Sequence, residues 1–177
     1  PSILVSQVAP TLGTETVKLS LIAGTIGIVL VFLFMLVFYG RMGVVADLAL
    51  MIYAILVLGA IAALRGVLTL PGIAGLILGI GMAVDGNVII FERIKEEVRS
   101  GKSIKSALVA GFDRAYMTIV DSNITTLIVA AVLYFFGTGA VKGFAVTLSI
   151  SIVASMFTAL FVSKTFLTIW IEKAPER

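Results

Sequence analysis

Gly72-Ile-Ala-Gly-Leu-Ile-Leu-Gly-Ile-Gly-Met-Ala-Val-Asp-Gly-Asn-Val-Ile-Ile-Phe91 decides the fold class. Twenty consecutive residues carry a single charge, long enough for one helix to cross a hydrocarbon core of about 30 Å. Gly72, Gly75, Gly79, Met82 and Gly86 recur at three- or four-residue steps, and Gly75-Leu-Ile-Leu-Gly79 is a GxxxG pattern that lets helix backbones approach closely. The spacing predicts a central helix packed against neighbours. Leu70-Pro71-Gly72 opens it, with proline in the first turn, where its missing amide hydrogen costs nothing.

The rest of the chain has the same character. Of 177 residues, 60% are apolar and 13% charged, and the mean hydropathy is +1.17. A soluble domain has about a quarter of its residues charged, so the solvent of this chain is a lipid bilayer. Four further apolar stretches join the first. The predicted spans are 19–39, 48–64, 72–91, 119–136 and 144–170, an all-α bundle of five membrane helices. Residues 1–18 read as an extracytoplasmic lead-in and 171–177 as a tail. The fifth stretch is long enough to tilt or to leave the membrane near Lys164. The chain begins at Pro1 without a signal-peptide pattern and reads as a segment of something longer.

Basic residues set the orientation. Arg41, Arg93, Lys95, Arg99, Lys102, Lys105, Arg114, Lys164, Lys173 and Arg177 fall on one side, ten of the 13 lysines and arginines. Lys18, Arg65 and Lys142 fall on the other. The rich side is expected to be cytoplasmic, which puts the N-terminus outside and the C-terminus inside. Between the third and fourth spans, Gly101 reads as a helix stop and Ser103 as an N-cap. Ile104, Ala107, Leu108, Gly111, Phe112 and Ala115 then recur with helical period, predicting an amphipathic helix over 103–116 that lies along the membrane surface or against the cytoplasmic ends of the bundle.

Chemistry has few carriers. Cysteine and histidine are absent from the sequence, which removes thiolate and imidazole ligands and the side chain that titrates near neutrality. Catalytic and cofactor-binding motifs do not appear, and the chain reads as a non-enzyme without a metal site. A net charge of +3, with no clustered basic face, gives no reason to expect a nucleic-acid partner. Asp85 stands out. It lies about 20 Å along the helix from Gly72 and about 10 Å from Glu92, where a carboxylate costs about 2.5–3.5 kcal/mol or more unless it is wet, paired or protonated. Its span contains no basic residue. Gly81, one turn earlier, leaves room beside it, and Asn87 adds polarity on another face. Asp121 opens the fourth span with Ser122, Asn123, Thr125 and Thr126, and reads either as a cap on the helix dipole or as a partner of Asp85 in a shared polar site. Arg41 and Asp47 read as loop charges.

Leu68-Thr-Leu-Pro-Gly-Ile-Ala-Gly75, Ile80-Gly-Met-Ala-Val-Asp-Gly-Asn-Val-Ile-Ile-Phe-Glu-Arg-Ile94, Ile119-Val-Asp-Ser-Asn-Ile-Thr-Thr-Leu127 and Gly137-Thr-Gly-Ala-Val-Lys-Gly-Phe-Ala-Val-Thr-Leu148 follow one another in the order seen in the SecD/SecF family. The chain resembles the membrane region on the SecD side of that family, which is related to RND-type exporters. The resemblance implies a subunit that works with SecF and the SecYEG translocon, using protons as coupling ion and the proton-motive force to draw preproteins across a bacterial inner membrane. It implies a proton-relay role for Asp85, and places Asp121 in a family motif. It also implies a further first helix and a large extracytoplasmic domain outside this sequence. A proton-driven exporter of small molecules or lipids, and a non-transporting scaffold for the translocon, are the alternative readings.

Overall fold

A computed structural model describes residues 10–64 and 69–173. Six α-helices follow in order: α1 (Pro10–Tyr39), α2 (Arg41–Ala63), α3 (Leu70–Arg99), α4 (Ile104–Phe136), α5 (Gly139–Phe157) and, after one π-helical turn at Thr158–Val162, α6 (Ser163–Lys173). Five helical segments are long and apolar enough to cross a membrane, the fifth running from α5 through the π turn into α6.

The ends follow local chemistry. Thr69 caps α3, its hydroxyl accepting from the Gly72 amide at 3.2 Å, and Pro71 occupies the first turn. At the other end Gly101 takes φ +93°, the left-handed conformation that stops a helix, and the Ser103 hydroxyl accepts from the Ser106 amide at 3.4 Å to start α4. With 30 residues, α3 is about 45 Å long. It therefore overshoots a hydrocarbon core of about 30 Å and carries residues 92–99 beyond it.

Several expectations are corrected. Helix α1 begins at Pro10, so half of the expected lead-in over 1–18 is helical; residues 1–9 lie outside the described residues. The amphipathic helix expected over 103–116 is present and buries its apolar face against the end of α3, but it is continuous with the fourth span in one helix of 33 residues. Tyr116, Met117 and Thr118 include no glycine or proline to break it, and the helical period runs on unbroken. Arg41 and Asp47 are not in a loop. The chain reverses at Gly40 alone (φ +53°), and α2 starts with the next residue. Asp47 lies inside α2 and is 9% exposed, and one of its carboxylate oxygens has no hydrogen-bond partner. The tail expected from residue 171 is helical as far as Lys173.

Helix α3 is the centre of the bundle, packed on α5 along one side and α4 along another. The glycine face makes this closeness available. A Cβ on Gly75 would stand 2.5 Å from Thr147 Oγ1, and one on Gly79 would meet Tyr53 Oη and, at 2.5 Å, Ser151 Cβ. Further along, Ala159 Cβ lies 3.2 Å from the corresponding point on Gly86. The register advances in the same sense on both helices, so α3 and α5 run parallel. At the basic end Gly111 of α4 seats on Ile94, where a side chain would meet backbone within 2.9 Å. Helix α1 covers the assembly from outside and leaves most of its apolar surface to lipid.

Candidate functional site

Asp85 and the polar turn of α4 come together. A cavity of about 120 Å³ is lined by Met82, Asp85, Gly86 and Ile89 from α3 and by Ile119, Ser122, Asn123 and Thr126 from α4. That is room for a few water molecules. Gly81 sits in open space with nothing within 4 Å of where its Cβ would be. Asp85 is exposed at the surface of the chain, and its carboxylate makes no hydrogen bond or ion pair among the described residues.

The α4 side chains around the cavity are turned back on their own helix. Ser122 Oγ and Asn123 Nδ2 both donate to the Ile119 carbonyl, at 3.1 and 2.7 Å, and Thr126 Oγ1 donates to the Ser122 carbonyl at 3.0 Å. Thr125 Oγ1 donates to the Asp121 carbonyl at 2.9 Å. With these donors committed, the lining turns mainly acceptor lone pairs toward the cavity, together with the second amide hydrogen of Asn123. Asp121 itself is exposed and does not line the cavity; its chain neighbour Ser122 does. The turn is thus continuous with Asp121, but the cavity holds one carboxyl group.

Asn87 belongs to a different cluster. It is 1% exposed, accepts at Oδ1 from Ser163 Oγ at 2.5 Å, and donates from Nδ2 to the Ala83 carbonyl at 3.2 Å. Ser163 opens α6 directly after the π turn, so this bond ties α3 to the point where the last span changes its helical pitch. Sequence reasoning missed the hydroxyl residues that α5 and its continuation turn inward: Thr147, Ser151, Ser155, Thr158 and Ser163 are all buried. Their signal was their recurrence at three- or four-residue steps from Thr147 to Thr158, the spacing that exposed the glycine face, with one longer step across the π turn to Ser163. Tyr53 of α2 and Ser151 meet at Gly79, their hydroxyl oxygens buried side by side.

Past the membrane, Glu97 is 3% exposed although charged. Lys102 Nζ lies 2.5 Å from Oε2 and Arg114 Nη1 lies 2.8 Å from Oε1, so one carboxylate ties the end of α3 to the connection and to α4. The hydrogen bond from Lys102 holds the Glu97 carboxyl below its ordinary pKa; desolvation opposes this, and the nearby charges of Arg114 and Lys102 reinforce it. Among the described residues, no three histidine, cysteine, aspartate or glutamate side chains are grouped to hold a metal.

Residues 2–173 match the family model described as protein export membrane protein SecD/SecF, C-terminal. The chain belongs to the SecD/SecF family. It is similar to the protein translocase subunit SecD of Synechocystis, 54% identical over 169 residues, covering 96% of this chain and 36% of that protein. The SecD subunit of Rickettsia prowazekii is 49% identical over 166 residues, 94% of this chain and 32% of its own. The chain therefore spans about a third of the length of these SecD relatives. The crystal structure of SecDF, a translocon-associated membrane protein from Thermus thermophilus, superposes with a TM-score of 0.91 at 45% identity, over 95% of this chain and 24% of that one. A SecDF structure in a super-membrane-facing form gives 0.88 at the same identity. The all-α membrane bundle is thus the membrane fold of the SecD/SecF family, and the chain is a multi-pass membrane protein of that kind.

Proposed function

We propose that this chain is the membrane part of a protein-translocase subunit in which reversible protonation of Asp85 is coupled to preprotein export, together with SecF and the SecYEG translocon. The observation that carries the proposal is the unpartnered carboxyl group of Asp85. It faces outward from the middle helix of the bundle, beside a small polar cavity and far from either end of α3. Facing lipid, such a group costs about 2.5–3.5 kcal/mol by insertion scales. A protein surface that covers it and offers a donor or a cation removes that cost. A second membrane half, of the SecF kind, is the cover this reading assigns.

The neighbouring chemistry supports an acid that cycles. A protonated Asp85 has hydroxyl and amide oxygens of Ser122, Asn123 and Thr126 within its cavity to donate to, while the ionised form finds few donors in this chain. The two protonation states are then best served by two different arrangements of the covering half, which is what coupling requires. Asp121, one residue before the cavity wall on an exposed position, is assigned as a secondary relay group toward the basic side. That side is taken as cytoplasmic from its lysines and arginines. Asp85 holds no helix to another within this chain, which argues against a purely structural role.

The test is proton-motive-force-dependent export into membrane vesicles, comparing native protein assembled with SecF against Asp85→Asn at matched membrane levels. Asparagine preserves size and polarity but cannot exchange a proton in this range. Loss of the force-dependent stimulation with assembly intact is the expected result. Unchanged stimulation would remove Asp85 from the mechanism.

A further inference from the structure

At the basic end of the bundle, on a side of α2 away from the Asp85 cavity, a groove of about 490 Å³ opens between the first turns of α2 and the last turns of α6. Its volume is in the range of small-molecule sites. Val44, Leu48, Phe166 and Ile169 make its walls, and Arg41 and Trp170 stand among them. Arg41, Val44 and Leu48 recur at helical spacing as one stripe of α2, so the guanidinium sits at the helix end and the apolar wall continues from it into the membrane. Among the described residues, no acid lines the groove. The nearest in sequence, Asp47, is buried and lies off this stripe. Arg41 is exposed and, among the described residues, has no hydrogen bond or ion pair with protein. Trp170 is 37% exposed, and tryptophan is a side chain that favours the interface between hydrocarbon and water.

We infer that this groove binds an anionic phospholipid, one acyl chain lying along Val44, Leu48, Phe166 and Ile169 and the headgroup phosphate meeting Arg41. Charge complementarity chooses the occupant. A membrane-facing apolar trough is filled by hydrocarbon of any lipid, but an unpaired guanidinium at its mouth selects a headgroup with net negative charge. A planar guanidinium also binds phosphate oxygens through two parallel N–H donors. The indole N–H of Trp170, in the same groove lining, offers a further donor. The site is separate from the proton chemistry and would operate whether or not Asp85 moves protons.

Trp170 is the single tryptophan of this chain, so with any tryptophan outside it replaced by phenylalanine the fluorescence reports this groove alone. The probe is phosphatidylglycerol brominated on its acyl chains, diluted into phosphatidylcholine bilayers holding the protein, with brominated phosphatidylcholine at equal mole fraction as the reference. Bromine quenches on contact, so quenching measures occupancy. The expected result is a preference of about fivefold for phosphatidylglycerol, the factor that corresponds to one basic residue near an anionic surface. Arg41→Gln should reduce the preference to near one. Arg93→Gln, on α3 and paired with Glu96, should leave it in place. Leu48→Trp is unsuitable because it adds a fluorophore, so Leu48→Phe serves to crowd the trough, and it should lower quenching by both lipids alike. Equal quenching by the two lipids in native protein overturns the inference. So does an equal loss on Arg41→Gln and Arg93→Gln, which would mean a diffuse basic field. Loss of the preference in excess inorganic phosphate would show a free-anion site and overturn the lipid assignment as well.

Discussion

Helix α3 presents two faces that have been finished differently. Toward α5 and the π turn the face is glycine: Thr147 and Ser151 leave no room for a side chain on Gly75 and Gly79, and Ala159 sits tightly against Gly86. Asn87, on a buried side, has its bond to Ser163. Toward the outside, Gly81 borders open space and Asp85 ends in a carboxylate with no partner in this chain. One face completes its chemistry internally, and the other leaves it to whatever docks there. Within a membrane this difference has a physical meaning, because lipid supplies no hydrogen bonds to an unfinished polar face.

The sharpest way to break the comparison is to place the same side chain on both faces. Gly79→Leu should cost about 3 kcal/mol, near the upper end for overpacking, because the obstacle is a Cβ rooted in the α5 backbone rather than a flexible tip. Gly81→Leu should stay within about 0.5 kcal/mol. Unfolding of the reconstituted protein by added denaturing detergent measures both. Comparable costs would mean that the outward face is packed against something within the same chain.

A smaller effect sharpens the polar side of the contrast. Asn87→Leu removes the acceptor of the Ser163 hydroxyl and should destabilise by about 1 kcal/mol, the scale of hydrogen bonds between membrane helices. In the same assay Asp85→Asn should be nearly neutral, since it breaks nothing in the chain. A larger loss for Asp85→Asn than for Asn87→Leu would reverse the assignment of the finished and unfinished faces.

The smallest effect is at the end of α3 outside the membrane. Glu97 has its folded pKa lowered by its hydrogen bond to Lys102 and the charge of Arg114. A lowered carboxylate contributes stability that is present above its unfolded pKa of about 4.3 and is lost as pH falls through the lower folded value. Native protein should therefore exceed Glu97→Gln at neutral pH, and the gap should narrow under acid conditions below the usual glutamate range. Both cations are substantially exposed, at 41% and 62% of their side chains, so screening keeps the effect small. A gap that widens in acid would mean that Glu97 is held protonated instead.

Much of this was legible in the chain order. The number of spans follows from apolar length, the packed side of α3 from glycine spacing, and the isolated acid from the lack of any basic residue in its span. Gly101 and Ser103 mark a turn because one needs a left-handed backbone and the other offers a capping oxygen. The continuity of α4 was less visible, since an amphipathic turn followed by an apolar one reads as two elements when only hydrophobicity changes. Asp47 was misread because a charge next to a predicted span resembles a loop charge, and its burial depends on helices distant in sequence.

By itself, then, the amino-acid sequence determined what local physics can decide: a lipid-soluble chain of five crossings, the helix ends, and an acid too deep to be ordinary. Only the tertiary structure decided that Ser163 completes Asn87, that Ser122 and Asn123 wall the cavity of Asp85 while Asp121 does not, and that Arg41 and Trp170 share one groove. Those pairings join residues dozens of positions apart, and they depend on helix rotation and register. Rotation and register are set by the closest backbone approach, here at the glycines of α3, and no local pattern encodes which distant side chains such an approach brings together.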